Sequence, residues 1–178
     1  MYHIKADKRA RTSVDLICRG LLTCMETKEF NEITITDIQR VSTVSRSTFY
    51  RNFDCLEDVL SLLIDRGFAE IFSGDDSVSL RERCLRYWIE HDKVMEALIT
   101  AHRTDLLFNS LRRSAANRES LQFLMADPKK YDYFMSIITS VMTGILVTWV
   151  ERGKTDTADE LLQVLKEDMS AFVALGIL

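Results

Sequence analysis

The amino-acid sequence predicts an all-α fold of about nine helices. The chain has only six Gly and one Pro in 178 residues, so helix-breaking positions are scarce. Apolar residues recur every three or four positions through most of the chain, which is the spacing of one helix face. Several of these segments open with Ser, Thr or Asp and carry an acidic residue three positions later, which is the signature of a capped helix start.

The first helix is predicted over residues 7–27. Its first turn carries three basic side chains, which could contact a phosphate or could simply be solvated. The remainder of the segment has one apolar face at helical spacing, and that face should form part of a small core. The face consists of Val14, Ile17, Leu21, Leu22 and Met25.

Residues 33–53 predict two short helices joined by a tight turn. Thr34 is a suitable N-cap for the first helix, and Asp37 lies where it can complete a capping box. Ser45 is the N-cap candidate for the second helix, which turns Phe49 and Phe53 inward. The pattern fits a helix-turn-helix, and it also fits a helical hairpin with a solvated polar face.

The second of these helices has an outer surface that is rich in hydrogen-bond donors and free of acidic residues. Arg can bind guanine through two parallel hydrogen bonds, and Ser or Thr can contact base edges or phosphates. Tyr can donate its hydroxyl to a phosphate. A short helix of this kind, braced across a first one, is the arrangement that enters the DNA major groove. The predicted DNA-binding residues are Thr34, Thr36, Ser45, Arg46, Ser47, Thr48, Tyr50 and Arg51.

Residues 30–60 resemble the N-terminal domain of the TetR (tetracycline-repressor) family of bacterial regulators. The matching segments are ITITDI at residues 33–38, VSRSTFYRNF at residues 44–53 and the acidic helix start Glu57-Asp58. The resemblance implies a dimeric, all-helical, ligand-responsive transcription factor that binds double-stranded DNA. It also implies a helix-turn-helix domain over residues 1–53 and a helical ligand-binding and dimerisation domain over residues 54–178.

Two positions depart from the usual pattern of that family. Thr43 stands in the turn where the family usually has Gly, so it must either adopt a positive φ or belong to a turn that does not need one. Leu56 stands where the family usually has a Lys that touches the DNA backbone. Loss of one phosphate contact should weaken binding without changing the preferred sequence.

Charge and composition indicate a globular protein with one basic end. The net charge of −4 is unevenly distributed along the chain. Residues 1–53 contain nine Lys/Arg and six Asp/Glu, whereas residues 54–178 contain fourteen Lys/Arg and twenty-one Asp/Glu. A basic end on an acidic body fits local contact with nucleic acid. The four Cys form no CxxC pair, no signal-peptide pattern opens the chain, and the apolar run over residues 134–150 contains Ser, Thr and Gly. We therefore expect a cytoplasmic protein without a membrane partner.

Capping signals and apolar spacing predict six more helices beyond residue 53. The segment Asp54-Cys55-Leu56-Glu57 reads as a capped start for a helix that ends near Phe72. By the resemblance, this helix is the lever between the two domains. Residues 73–77 form the clearest break, and Gly153 is suited to end the eighth helix. The remaining five helices are predicted over residues 79–90, 92–101, 104–125, 127–152 and 157–175.

The last two predicted helices each carry an apolar stripe that could form a dimer interface. Two such helices from each of two subunits can make a four-helix interface with interlocking side chains. For any single residue, burial inside one chain is the alternative. The residues of the two stripes are Phe134, Ile138, Val141, Ile145, Trp149, Leu161, Leu165, Met169 and Phe172.

The region between residues 80 and 142 carries aromatic and polar-tipped side chains that could line a small-molecule pocket or belong to an ordinary core. No cofactor is expected. A metal site at His91 with Asp92, or at His102 with Asp105, is set aside because neither forms a compact set of ligands. The candidate ligand-binding residues are Tyr87, His91, His102, Phe108, Tyr133 and Met142.

Three functions compete at this point. The first is a ligand-responsive transcriptional regulator, a repressor by resemblance, which acts as a homodimer on a palindromic operator. The second is a TetR-like interaction protein or coactivator with weakened DNA binding, which Thr43 and Leu56 motivate. The third is a helical enzyme, which the sequence disfavours because it offers no constellation of nucleophile, base or metal ligands.

Overall fold

The computed structural model describes residues 2–5, 7–74, 77–116 and 127–176, with the side chains of Ala116 and Phe172 excepted. These residues form nine α-helices, one short 3-10 turn at Phe30–Glu32 and no β-strand, which confirms the all-α prediction. The helices are α1 (Lys8–Met25), α2 (Ile35–Ser42), α3 (Arg46–Asn52), α4 (Leu56–Ser73), α5 (Leu80–Glu90), α6 (Asp92–Thr100), α7 (Asp105–Ala116), α8 (Pro128–Glu151) and α9 (Ala158–Ala174).

Most helices begin where the sequence places a cap. At the start of α2, Thr34 Oγ1 accepts the backbone N–H of Asp37 at 3.2 Å, and the Asp37 carboxylate accepts the N–H of Thr34 at 2.9 Å. The same reciprocal pair opens α9 at Thr157 and Glu160. Each capping box satisfies backbone donors that a helix start would otherwise leave unpaired.

The start of α4 differs from the prediction. Its N-cap is Cys55, which makes no capping hydrogen bond through its side chain. Asp58 supplies the acceptor instead, because its carboxylate accepts the backbone N–H of Asp54 at 3.0 Å. The predicted helix ends are otherwise within about two residues of those observed, except that α7 is described only to Ala116. The predicted continuation to residue 125 lies outside the described residues.

Helices α1, α2 and α3 enclose a small apolar core. Ile17, Leu21 and Ile38 are fully buried between α1 and α2. Phe49 and Phe53 are equally buried, and their ring centroids lie 5.7 Å apart. These two rings fix the orientation of α3, so the remaining faces of that short helix point away from the core.

Helix α4 connects these three helices to the rest of the chain. Leu60 and Ile64 are fully buried on it, and Phe68 is 3% exposed. Gly67 allows α5 to approach closely, because a Cβ at that position would lie 2.7 Å from Tyr87 Cε1 and 2.9 Å from Trp88 Cη2. A change in the packing of α5 would therefore be felt by α4.

Asp65 on α4 joins three parts of the molecule. It accepts hydrogen bonds from the hydroxyl of Tyr2 at 2.5 Å, from the hydroxyl of Ser110 on α7, and from the Arg113 guanidinium at 2.6 Å. The backbone N–H of the neighbouring His3 donates to the carbonyl of Asn52 at 3.0 Å. The N-terminal segment thus ties the end of α3 to the contact between α4 and α7.

Helix α8 has the length and apolar composition that would allow it to cross a bilayer, and it is the one helix among the described residues to pass that test. A buried face formed by Tyr131, Met135, Met142 and Leu146 packs it into the helical body. Only 28% of its most apolar window is buried, however. Helix α8 is therefore buried along one face only, and its other face remains apolar and uncovered in a single chain.

Candidate nucleic-acid interface

The turn between α2 and α3 has the left-handed backbone that the sequence left open. Thr43 adopts φ 58° and ψ 9°, and its N–H donates to the carbonyl of Gln39 at 3.0 Å. Its hydroxyl donates to the carbonyl of Ser42 at 2.7 Å. A β-branched residue at positive φ is unfavourable, but the geometry is the one that Gly adopts most readily at this place. The turn therefore places α3 as a Gly-containing turn would.

The N-terminus of α3 presents three linked hydroxyl groups. Ser45 Oγ accepts the backbone N–H of Thr48 at 3.2 Å, as the predicted N-cap. It also lies 3.0 Å from Ser47 Oγ and 2.9 Å from Thr48 Oγ1. Because hydroxyl groups both donate and accept, this cluster can be re-oriented toward a phosphate or base edge without loss of the cap.

Arg46 and Tyr50 form a pair on the exposed side of α3. The guanidinium carbon of Arg46 lies 5.8 Å from the centroid of the Tyr50 ring, which is within the range of a cation–π contact. Tyr50 is 44% exposed, and its ring packs edge-on against Phe49 at 5.6 Å. The buried Phe49 thus positions Tyr50, and Tyr50 in turn restricts the directions that Arg46 can take.

Asn52 is a buried polar residue at the end of α3, and it is not among the predicted DNA-binding residues. It is 2% exposed, and its amide donates to the carbonyl of Thr48 at 2.8 Å. The backbone carbonyl of Asn52 accepts the backbone N–H of His3. Asn52 lies one helical turn after Thr48 and between the two inward Phe residues. That spacing indicates that its side chain can hydrogen-bond to the backbone in the last turn of α3.

An open groove of about 760 Å³ lies between the start of α1 and the end of α3. Asp7 also lines it, but the carboxylate of Asp7 is engaged as the N-cap of α1, where it accepts a backbone N–H at 2.8 Å. The groove therefore offers a chain of positive charges next to the outer face of α3, as a phosphate backbone requires. Its basic lining residues are Lys5, Lys8, Arg9 and Arg51.

The charge of Asp37 is neutralised locally. Its carboxylate lies 2.9 Å from Lys28 Nζ and 3.7 Å from an Arg40 nitrogen. The Lys28 hydrogen bond, followed by those from Thr34, holds the pKa of Asp37 well below its ordinary value. Thr34 is exposed, but its hydroxyl is engaged in this cap, because it donates to the Asp37 carboxylate at 2.7 Å. Thr36, on α2 itself, is also exposed.

Leu56 is half-buried and packs against the apolar core. An aliphatic side chain at this place supplies packing at the start of α4 and offers no charge to a phosphate. The cation of the family pattern is therefore absent here, and Leu56 makes an apolar packing contact in its place.

The candidate ligand-binding residues are not gathered in one cavity. Tyr87 and His91 stack on each other with ring centroids 4.0 Å apart. His102 is exposed in a turn, and Tyr133 is 64% exposed on the outer face of α8. Met142 is buried in the wall of an apolar cavity, and Phe108 is half-buried on α7. The six candidates therefore do not form one pocket. Helical periodicity predicts that α8 has an apolar face, but it does not say which residues of that helix point inward.

The candidate metal residues are also held apart in other interactions. His91 Nδ1 donates to the carbonyl of Tyr87 at 2.8 Å, and Asp92 pairs with Lys154 Nζ at 2.5 Å. Asp105 pairs with Arg103 at 2.9 Å. Across the described ranges, no group of three or more His, Cys, Asp or Glu side chains is placed to hold a metal ion.

The candidate dimer residues divide into two groups. Trp149, Leu161 and Leu165 are 3%, 7% and 6% exposed, so their assignment to an interface is corrected: they pack inside one chain and leave little surface for a partner. Phe172 lies outside the described side chains. The residues that keep exposed or half-exposed apolar surface are Phe134, Ile138, Val141, Ile145 and Met169.

Comparisons with known proteins identify the fold. No family model matches the chain. A stretch of 68 residues is 26% identical to the HTH-type dhaKLM operon transcriptional activator DhaS of Lactococcus lactis, and it spans 38% of this chain and 36% of that protein.

Two solved structures share nearly the whole architecture. Lin0861 from Listeria innocua superimposes with a TM-score of 0.76 at 16% identity, over 96% of both chains. A TetR transcriptional regulator from Streptococcus agalactiae superimposes with a TM-score of 0.56 at 18% identity, over 89% of this chain and 94% of that one. The resemblance carried by residues 30–60 is thus confirmed at the level of the fold: this chain has the all-helical architecture of a TetR-type transcriptional regulator.

Proposed function

We propose that this protein is a cytoplasmic, ligand-responsive transcriptional regulator that binds double-stranded DNA as a homodimer on a palindromic operator. The observation that carries the proposal is the outer face of α3, which is acid-free, rich in donors and held outward by two buried Phe rings. The basic groove beside it continues that surface toward the start of α1. Together they offer base contacts and phosphate contacts side by side.

Arg46 and Tyr50 should have different roles in the complex. Arg46 lies at the first position of α3, where recognition helices contact base edges. Tyr50 can donate to a phosphate through its hydroxyl while its ring supports Arg46. We therefore expect Arg46 to contribute to sequence preference and Tyr50 to contribute to affinity for any duplex.

Two variants test these roles by fluorescence anisotropy against the upstream region of the protein's own gene. Arg46→Ala should lose about 1–3 kcal/mol of discrimination at one base pair, whereas Tyr50→Phe should weaken binding to all sequences alike. Arg112→Ala is the matched control, because it removes the same charge from an exposed position on α7. If Arg112→Ala has the same effect as Arg46→Ala, net charge and not a local contact governs binding, and the proposed surface is wrong.

The homodimer is proposed to form through the uncovered face of α8 together with α9. Tyr133, Ile137 and Val164 are 64%, 53% and 48% exposed, which is unusual for large apolar side chains. Ser140 and Gly144 follow Ile137 on the exposed side of α8, so a partner helix could approach closely there. Two subunits joined in this way would present two copies of α3, as a palindromic operator requires.

Sedimentation analysis of one variant and one control tests this interface. Ile137→Glu should convert the dimer to a monomer and abolish high-affinity operator binding, because it buries a charge in the interface. Asn109→Glu adds the same charge at an exposed position on α7 and should leave the dimer intact. A dimer that survives Ile137→Glu would place the interface elsewhere.

The link between ligand and DNA is proposed to run through α4. This helix follows α3 directly and is held to α7 by the hydrogen bonds of Asp65. A molecule that prefers another packing of the body would shift the population of α4 positions and so change the distance between the two copies of α3. DNA affinity and ligand affinity must then change each other by the same factor.

Repression is the sign of regulation that the TetR resemblance implies, whereas the Lactococcus protein aligned with this chain is named an activator. Leu56, which stands in place of a basic residue, favours a coactivator with weak DNA binding as the second candidate. A reporter gene fused to the upstream region, measured with and without the protein, separates the two signs. Binding to all duplexes alike at low salt would favour the coactivator.

A further inference from the structure

Residues 2–5 form a short non-helical segment that packs against the apolar core before α1 begins. Their burial alternates, because Tyr2 and Ile4 are half-buried whereas His3 and Lys5 are exposed. This alternation is typical of an extended backbone, in which successive side chains point to opposite sides. Segments outside helices and strands are usually the more mobile parts of a domain unless contacts hold them. The contacts of residues 2–5 therefore decide whether this segment has a defined position.

The hydroxyl of Tyr2 anchors the segment to α4. It donates to Asp65 Oδ2 at 2.5 Å, while Asp65 Oδ1 accepts hydrogen bonds from the Ser110 hydroxyl and the Arg113 guanidinium, both on α7. A hydrogen bond to a charged acceptor is stronger than one between neutral groups. Burial, together with this hydrogen bond to the carboxylate, raises the pKa of Tyr2 to about 12, so its hydroxyl remains a donor at neutral pH.

A second contact joins the segment to the end of α3. The backbone N–H of His3 donates to the backbone carbonyl of Asn52, the last residue of that helix, at 3.0 Å. The last carbonyl groups of a helix have no acceptor role within the helix itself, so His3 uses an acceptor that α3 leaves open. Residues 2–5 thus lie between a fixed point on α4 and the end of the helix that carries the proposed base contacts.

These two contacts place Lys5 in the basic groove between α1 and α3. Lys5 is exposed, and it lines the groove together with Lys8 of α1 and Arg51 of α3. It therefore adds a positive charge from a segment that belongs to neither helix. A row of positive charges beside a helix that faces DNA is the arrangement that a phosphate backbone requires.

We propose that residues 2–5 are a strap that holds Lys5 against a phosphate of the DNA backbone, and that Tyr2 and Asp65 are the positioning residues for this contact. The inference rests on the proposed function, because it needs a bound duplex. It adds a phosphate contact whose position is set outside the helix-turn-helix. Because Asp65 is also hydrogen-bonded to α7, the strap connects the body to DNA by a route that does not pass through α3.

The salt dependence of DNA binding measures this contact, because each phosphate that the protein neutralises adds about 0.9 to the slope of log affinity against log salt concentration. Fluorescence anisotropy gives that slope between about 50 and 200 mM NaCl. The probes are the upstream region of the protein's own gene and a shuffled duplex of the same composition. The variants are Lys5→Ala, Tyr2→Ala and Asp65→Asn. Lys166→Ala is the matched control, because it removes the same charge from an exposed position on α9.

Lys5→Ala should lower the slope by about 0.9 for each bound subunit and leave the ratio of affinities for the two duplexes unchanged, because a phosphate contact carries no sequence information. Tyr2→Ala and Asp65→Asn should reproduce this fall although both keep Lys5. Combining either one with Lys5→Ala should lower the slope no further. Asp65→Asn makes the net charge more positive, so net charge cannot explain a lower slope in that variant. Lys166→Ala should match the native protein.

A native slope in Lys5→Ala refutes the phosphate contact, and native slopes in Tyr2→Ala and Asp65→Asn refute the positioning role. A changed affinity ratio between the two duplexes in Asp65→Asn also overturns the proposal, because Asp65 then acts through α3. A purely structural loss of folded protein lowers the apparent affinity alike at every salt concentration and leaves the slope unchanged. Each of these outcomes leaves the proposed function intact, whereas a native protein that binds neither duplex refutes both the proposed function and the strap.

Discussion

Replacement of Thr43 by Gly tests whether the turn of the helix-turn-helix is correctly placed. Thr43 has a left-handed backbone, with φ 58° and ψ 9°. In that conformation the Cβ atom crowds the following carbonyl oxygen, at a cost of about 1–2 kcal/mol. Gly has no Cβ and escapes this crowding, but it loses about 0.5–1 kcal/mol more conformational entropy on folding.

The net effect is best measured against Thr43→Ala, which removes the hydroxyl but keeps the Cβ. Both variants lose the hydrogen bond from the Thr43 hydroxyl to the carbonyl of Ser42, so this contribution cancels in the comparison. Thr43→Gly should then be more stable than Thr43→Ala by about 0.5–1 kcal/mol. Operator affinity should be the same in both variants and in the native protein, because the backbone is already in the geometry that Gly favours.

Urea unfolding at equal protein concentration gives the difference in stability, and fluorescence anisotropy gives the operator affinity. If Thr43→Ala is as stable as Thr43→Gly, the assignment of a left-handed backbone to residue 43 is wrong. If Thr43→Gly raises operator affinity tenfold or more, the native turn misplaces α3, and the coactivator with weakened DNA binding becomes the better account.

Three further predictions follow from named contacts. Asp37→Asn should destabilise the protein at pH 7 and only somewhat less at pH 3. The folded-state pKa of Asp37 lies well below its unfolded value, so its contribution is complete above about pH 4 and is lost progressively as the pH falls toward the folded-state pKa. Urea midpoints at the two pH values measure this difference. Gly67→Ala should lower the unfolding free energy by about 1–2 kcal/mol, because overpacking against Trp88 outweighs the gain in helix propensity; an increase in the urea midpoint would contradict the close approach of α4 and α5. Tyr2→Phe removes one hydrogen bond to Asp65 and should cost about 1 kcal/mol, with faster hydrogen exchange at the His3 amide and unchanged exchange in α8.

Local signals in the sequence were sufficient for the helix starts. Thr34, Ser45 and Thr157 cap helices as their neighbours predict, because a cap is decided by residues within one turn. The inward direction of Phe49 and Phe53 was equally local, since two apolar residues four apart define a helix face. The proposed DNA-binding surface builds on these two local features of the chain.

Tertiary contacts decide the features that the sequence did not predict. The apolar stripes of α8 and α9 are visible in the sequence, but only the packing of the body shows that Trp149 and Leu165 lie inside and Tyr133 outside. A set of aromatic residues could therefore be named as pocket candidates without any indication of which helices enclose the cavity.

Selection of random DNA duplexes by the unmodified protein shows whether two copies of α3 bind one duplex together. We expect enrichment of an inverted repeat whose half-site centres are about 10–10.5 base pairs apart, or a multiple of that distance. Enriched duplexes without inverted symmetry, or no enrichment at a salt concentration that permits binding, would contradict it.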